Sequence, residues 1–142
     1  MSLRYGNVYG PRQDAHSEAG VVAIFCRNLI EKRRSTVFGD GRQTREWVEV
    51  GDVVRLNLLA AESSLTGPVN IGSGRETPAF ELLEALGDVV DQDTAEPEFA
   101  PARPGEVSHS CLDVARARRE LGWSAQVELR DRLQRILSAP IV

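Results

Sequence analysis

The segment Leu3-Arg4-Tyr5-Gly6-Asn7-Val8-Tyr9-Gly10-Pro11 decides how this chain is read. It predicts a short strand running into a Gly10-Pro11 turn, with polar groups just past the strand's carboxyl end. Open α/β sheets bind ligands at that position. Beyond a polar, loop-like stretch at residues 11–19, apolar residues recur at Val21, Ile24, Phe25, Leu29 and Ile30, which predicts a helix over residues 20–33. Its last turn carries Lys32, Arg33 and Arg34, suited to the negative end of the helix dipole.

Further along, Thr36-Val37-Phe38 reads as a strand. A Gly39-Asp40-Gly41 turn and an alternating segment over residues 45–50 make the unit resemble a hairpin. A helix is expected from Gly51-Asp52 to Ser63 with Asp52 as its cap, then a buried strand at Val69-Asn70-Ile71. Thr77 is expected to cap another helix with Pro78 at its first position. Pro97, Pro101 and Pro104 predict an extended surface segment over residues 91–106. Two closing helices are expected, residues 113–121 ended by Gly122 and residues 129–137. Strands interleaved with helices indicate an α/β or α+β architecture.

Length and composition bound the function. A chain of 142 residues suits one domain, and 42% hydrophobic with 27% charged residues supports a packed core rather than disorder. The longest apolar run, Val21 to Cys26, is far below the roughly 20 residues of a membrane span. No signal-peptide pattern opens the chain, and Cys26 and Cys111 form no C-x-x-C, so a cytoplasmic protein with reduced thiols is expected. A net charge of −4 weakens a nucleic-acid reading. His16 and His109 lack a second ligand at helical spacing, so no metal site is expected.

Gly72-Ser73-Gly74-Arg75-Glu76-Thr77 imitates a dinucleotide-binding loop at two of its three glycines. Thr77 stands where the third should allow close packing, so a structural turn is the preferred reading. Three pieces carry more: residues 4–13, Phe38 to Val48, and Arg103-Pro104-Gly105-Glu106. Two arginines on separate supports, Arg45 and Arg103, would clamp a diphosphate, because guanidinium is permanently charged and meets phosphate oxygens bidentately. Taken singly, Arg45 equally suits an ion pair with a neighbouring-strand carboxylate, and Arg103 a solvated side chain.

In this order those pieces, with Asn70-Ile71-Gly72 and Glu120-Leu121-Gly122-Trp123, closely resemble the C-terminal half of the extended short-chain dehydrogenase/reductases that act on nucleotide sugars. The likeness is greatest to the UDP-glucose 4-epimerase type. It implies the C-terminal part of a Rossmann-type fold with a small substrate-binding subdomain, the N-terminal glycine-loop half being absent. Residues 3–142 would be that portion, with remnants of Rossmann strands near residues 3–8 and 69–72, and Met1-Ser2 would be foreign to the natural chain. By the same resemblance Asn7 would hold the diphosphate, and Gly20 and Val21 would line the nucleotide pocket. Thr36, Val37 and Phe38 would flank the base, Arg45 and Arg103 would grip the phosphates, and Glu106 would reach the ribose. Tyr5 and Gly6 would lie near the nicotinamide. The sequence departs from the family at Glu46, where Asp is common, and at Glu49 and Gly51, which stand for an aromatic residue and Asp.

The family's acid–base pair, Tyr-x-x-x-Lys, has no counterpart, since the only lysine is Lys32 and Asn28 stands four before it. The resemblance therefore implies a parent enzyme that uses NAD to oxidise the sugar to a 4-keto form and re-reduce it on the other face. This chain would bind a UDP-sugar or dTDP-sugar without catalysis and without holding NAD. A non-catalytic binding module, or the same part of a dehydratase, decarboxylase or reductase, are the alternatives. A homo-oligomer with no membrane or nucleic-acid partner is expected, because cut strands leave edges and apolar faces unpaired.

Overall fold

The computed structural model describes residues 1–14, 20–90, 96–131 and 133. Their eight strands are short and pair two by two. Strand β1 (Ser2–Tyr5) lies parallel to β6 (Pro68–Ile71), and β2 (Asn7–Tyr9) parallel to β5 (Trp47–Glu49). Strand β3 (Thr36–Phe38) runs parallel to β8 (Glu98–Ala100), while β4 (Thr44–Arg45) is antiparallel to β7 (Thr77–Pro78). Four helices cover them: α1 (Val21–Ile30), α2 (Val50–Ala61), α3 (Ala79–Val90) and α4 (Ala115–Leu121). The mixed helix and strand class read from the alternation is the one observed.

Several local expectations give way. The first strand divides at Gly6, whose N–H donates to Ile71 O at 2.8 Å, so the chain leaves β6 and joins β5 within one residue. The expected boundary ahead of Leu3 does not mark the strand, because Ser2 opens β1 opposite Pro68. No hairpin links residues 36–50. The Gly39-Asp40-Gly41 turn exists, with φ of 67° and 74° at its glycines, but β3 takes β8 as partner and Gly39 N donates to Ala100 O. Alternation sets which face a strand buries; it does not choose the neighbour. The proline-rich segment is extended and largely exposed over residues 96–106, as expected, with residues 98–100 paired as β8; residues 91–95 lie outside the described ones.

Helix ends are corrected in the same way. Glu49, not Asp52, caps α2, its carboxylate accepting Gly51 N at 2.6 Å. Thr77-Pro78 form strand β7 instead of a cap. The first amides of α3 find their acceptors in the preceding turn, Ala79 N donating to Gln43 O and Phe80 N to Gly41 O. Helix α4 starts at Ala115 rather than Asp113, which accepts Ala115 N through its side chain, and stops as expected at Gly122 in the left-handed region, φ 58°. Residues 129–131 and 133 are helical; the remainder of that expected helix, and His16, lie outside the described residues.

Two apolar cores result. Tyr9, Val22, Phe25, Cys26, Val37, Leu82, Leu86 and Leu133 join α1 to α3 across β2 and β3. Burial of Cys26 pushes its thiol up to about 12, so it behaves as an apolar residue. The second core gathers Val48, Val53, Leu56, Val69, Ile71, Ala117 and Trp123 between β5, β6, α2 and α4.

The buried Asp52 closes this second core. Its Oδ2 accepts Gln126 N and Val127 N at 2.8 and 3.0 Å, its Oδ1 accepts Arg55, and its backbone carbonyl accepts Trp123 Nε1. A carboxylate holding two amides cannot be removed without leaving buried donors unsatisfied. Asp52→Ala is therefore expected to lower the unfolding free energy by about 3 kcal/mol. A urea titration measures it, and an unchanged midpoint would contradict this role.

Candidate functional site

A cavity of about 410 Å³ opens between α1, β3 and the segment that follows β8. One wall is a stripe of α1: Val21, Ile24, Phe25 and Asn28, at the i, i+3, i+4, i+7 spacing of a single helix face. The facing wall is Thr36, Val37 and Phe38 of β3, and the inner end is closed by Trp47 and Thr77. Asn7 enters from the start of β2, because the chain break at Gly6 turns it from the β1–β6 pair towards β5. Arg45, Arg103 and Glu106 stand at the polar end.

Of the residues singled out from sequence, Asn7, Val21, Thr36, Val37, Phe38, Arg45, Arg103 and Glu106 line this one cavity. Gly20 caps α1 immediately before Val21 and is buried beside it, without lining the cavity. Tyr5 and Gly6 do not line it either. Tyr5 points its hydroxyl at Asn57 Oδ1 of α2, 2.9 Å away, and a Cβ on Gly6 would press on the Glu46 carboxylate. Asn28, Gln43 and Trp47 were not legible as site residues. Asn28 had a signal, being the fourth member of the Val21 stripe. Gln43 works indirectly, its Nε2 donating to Phe38 O at 2.8 Å and so fixing the end of β3.

The polar end is not symmetrical. Arg45 is half-buried and largely committed: its NH1 donates to Thr44 O and Val107 O, both at 2.7 Å, and its NH2 to Glu106 Oε1 at 3.2 Å. Both NH1 protons are thus used, while Nε–H and one NH2 proton remain. The ion pair predicted as an alternative for Arg45 does exist, but with Glu106 rather than with a neighbouring strand. Arg103 is different. Its guanidinium carbon lies 3.8 Å from the centroid of the Phe38 ring, and among the described residues it has no carboxylate partner. A stacked guanidinium is held in orientation by the ring while its N–H groups stay open to an anion.

A second, larger cavity of about 650 Å³ shares Trp47 and Thr77 with the first. Its arginines are paired, Arg75 with Glu81 and Glu128, and Arg130 with Asp88. The Gly72-x-Gly74 loop offers no anion cradle: Gly74 N is taken by Glu46 Oε2 at 3.0 Å, and a Cβ at Gly72 would sit 2.1 Å from the same oxygen. Among the described residues no group of three or more His, Cys, Asp and Glu side chains is arranged for a metal ion. No helix among them is long and apolar enough to cross a membrane.

Residues 1–72 match the model of the NAD dependent epimerase/dehydratase family. A UDP-glucose 4-epimerase of Mycolicibacterium smegmatis is 48% identical over 126 residues, covering 88% of this chain and 40% of the relative. UDP-glucuronic acid decarboxylase 1 of Arabidopsis thaliana is 34% identical over 135 residues, covering 95% of this chain and 31% of the relative. The crystal structure of UDP-glucose 4-epimerase from Thermotoga maritima with UDP-glucose superposes with a TM-score of 0.90 at 44% identity, covering 96% of this chain and 44% of that one. The chain thus spans less than half the length of these relatives.

The segment carrying Arg103 and Glu106 is anchored by three consecutive residues of the β4–β5 region. Thr44 N donates to Ser108 O, Arg45 NH1 to Val107 O, and Glu46 Oε1 accepts Leu112 N. Glu76 reinforces the first anchor, accepting the Thr44 hydroxyl at 2.7 Å and lying 3.2 Å from His109 Nδ1. The Thr44 hydroxyl, then His109, hold the Glu76 carboxyl below its ordinary 4.5, against a small opposing effect of burial. A lowered folded value stabilises the structure above 4.5, and that contribution is lost as pH falls through it. Thermal unfolding followed from neutral pH downward is expected to show this acid loss in the wild type and a shallower one in Glu76→Gln. Parallel curves would contradict the anchor.

Proposed function

The chain belongs to the NAD-dependent epimerase/dehydratase family, and on that premise we propose that its 410 Å³ cavity binds the nucleoside diphosphate of a nucleotide sugar, most simply a UDP-sugar. The observation that carries this reading is Arg103, stacked on Phe38 with no carboxylate partner among the described residues, at the polar end of a cavity whose apolar lining comes from α1 and β3. A planar base suits the space between Val21, Ile24 and Phe25 on one side and Val37 and Phe38 on the other. The diphosphate meets Arg103, the two open donors of Arg45, and the Asn7 carboxamide. Glu106, already close to Arg45, has carboxylate lone pairs left for the ribose hydroxyls.

Binding by these groups is positioning rather than chemistry. Two guanidinium groups compensate a doubly ionised diphosphate, and the apolar slot removes the base from water, so the sugar is held by its nucleotide handle. The NAD that the family name implies does not fit the residues present. The one glycine loop spends its amide on Glu46, and Tyr5 and Gly6 are engaged with Asn57 and Ile71. In the whole protein the reading is a 4-epimerase of cytoplasmic nucleotide sugars, with dehydratase chemistry as one alternative and decarboxylase chemistry as the one that the Arabidopsis relative favours. Self-association is part of the proposal, supported by exposed Val54 and Leu58 on α2 beside Tyr5 of β1.

The purified chain is expected to bind UDP-glucose, and Arg103→Ala to weaken it by roughly tenfold to a hundredfold, the value of a charge-assisted hydrogen bond of about 1.5–3 kcal/mol. Calorimetry measures both, with Arg42→Ala, an exposed arginine outside the cavity, as the neutral control. Equal affinity in wild type and Arg103→Ala would overturn the assignment. Turnover of UDP-glucose by the same preparation, in an assay coupled to UDP-galactose formation with added NAD, is expected to be nil because no Tyr-x-x-x-Lys pair exists.

A further inference from the structure

Arg103 owes its place to a turn. Glu106 N donates to Arg103 O at 3.1 Å across Pro104 and Gly105, and Gly105 takes the left-handed φ of 77° that the third position of such a turn demands. The turn hangs between two anchors. On its near side Gly39 N donates to Ala100 O at the end of β8; on its far side Arg45 NH1 and Thr44 N reach Val107 O and Ser108 O. Glu106 has a tie of its own to Arg45. Arg103, stacked on the Phe38 ring without a carboxylate partner among the described residues, depends on the turn for its position.

The far anchor is more elaborate than one backbone bond requires. Thr44, 7% exposed, is paired on both edges, with Pro78 of β7 and with His109. Its N–H goes to Ser108 O, its carbonyl accepts Arg45 NH1, and its hydroxyl donates to Glu76 Oε2 at 2.7 Å. A hydroxyl has one hydrogen, so towards His109 Nδ1, 3.2 Å away, the Thr44 oxygen can only accept. The imidazole hydrogen therefore sits on Nδ1, shared between Thr44 Oγ1 and Glu76 Oε2, each at 3.2 Å. Three side chains from three segments close on one another here, and none of them lines the cavity.

We propose that Thr44, Glu76 and His109 form a clasp that positions Arg103 for the diphosphate, so that side chains outside the cavity set the strength of its anion contact. The inference rests on the nucleotide reading of the cavity and adds what holds the decisive cation in place. A guanidinium on a slack turn has to be ordered when the anion binds, and that cost is subtracted from the affinity. On a clasped turn the ordering is already complete in the folded chain. Loss of the clasp thus weakens anion binding without removing any donor that meets the anion.

Calorimetry with UDP on the full chain tests the clasp. Thr44→Val keeps the shape, removes the hydroxyl, and is expected to weaken UDP binding about fivefold. Glu76→Ala is expected to do the same, and the two together no more than either alone. Thr44→Ser, which keeps the hydroxyl, is expected to restore the affinity. In an Arg103→Ala background either substitution is expected to cost less than about twofold, because the group that the clasp positions is gone; a merely structural role would cost the same in both backgrounds. Circular dichroism identifies the folded variants, and Glu76→Ala, at an exposed position, carries the test if Thr44→Val does not fold. Wild-type affinity in folded Thr44→Val or Glu76→Ala, or equal losses with and without Arg103, overturns the inference and leaves the nucleotide reading standing. Wild type that does not bind UDP overturns both.

Discussion

One buried carboxylate organises the centre of this structure. Glu46, 1% exposed, sits between β4 and β5 and accepts Gly74 N at 3.0 Å through one oxygen and Leu112 N at 2.9 Å through the other. Gly6 and Gly72 pack directly on it, and neither position has room for a side chain. An ion taken out of water is costly unless its lone pairs are filled, and here backbone amides fill them. The first strand, the chain beyond β6 and the segment that follows the proline-rich stretch all converge on this group. The extra methylene relative to the aspartate that the family resemblance leads one to expect is accommodated because the facing residues are glycines.

The site inherits its geometry from that centre. Thr44, Arg45 and Glu46 together hold residues 107–112, Thr44 through both Ser108 and His109, and the arginine–carboxylate pair of the cavity lies at the near end of the same segment. Ordering the segment and assembling the polar end of the cavity are therefore one event. Arg45 serves the fold first and the ligand second, with three of its donors already used. Arg103, stacked on the Phe38 ring and without a carboxylate partner among the described residues, is a cation left for an anion from outside. The slot beyond them depends on α1 and β3, packed through Phe25, Val37 and the α3 residues Leu82 and Leu86.

Much of the site was legible because the polar residues of a ligand pocket stand out against an amphipathic background. Asn7 past a strand end, Arg45 in a short alternating segment and Arg103 between prolines each broke the local pattern. Glu46 and Asp52 did not, since an acidic residue near a turn reads as solvent-facing until its acceptors are known to be filled by distant amides. Asn28 was hidden by the opposite effect, looking like the polar edge of a helix.

What the amino-acid sequence determined by itself was local: the order of the four helices, the helical stripe that begins at Val21, and the stop of α4 at Gly122. Those follow from side-chain period and backbone freedom, which act over a few residues. Tertiary structure alone decided the partners. It paired β3 with β8 rather than with its neighbour in sequence, set Asp52 beneath Trp123, and joined Arg45 to Glu106. Parallel pairing and buried hydrogen bonds link segments far apart in the chain, and their free energy depends on which groups meet once water is gone.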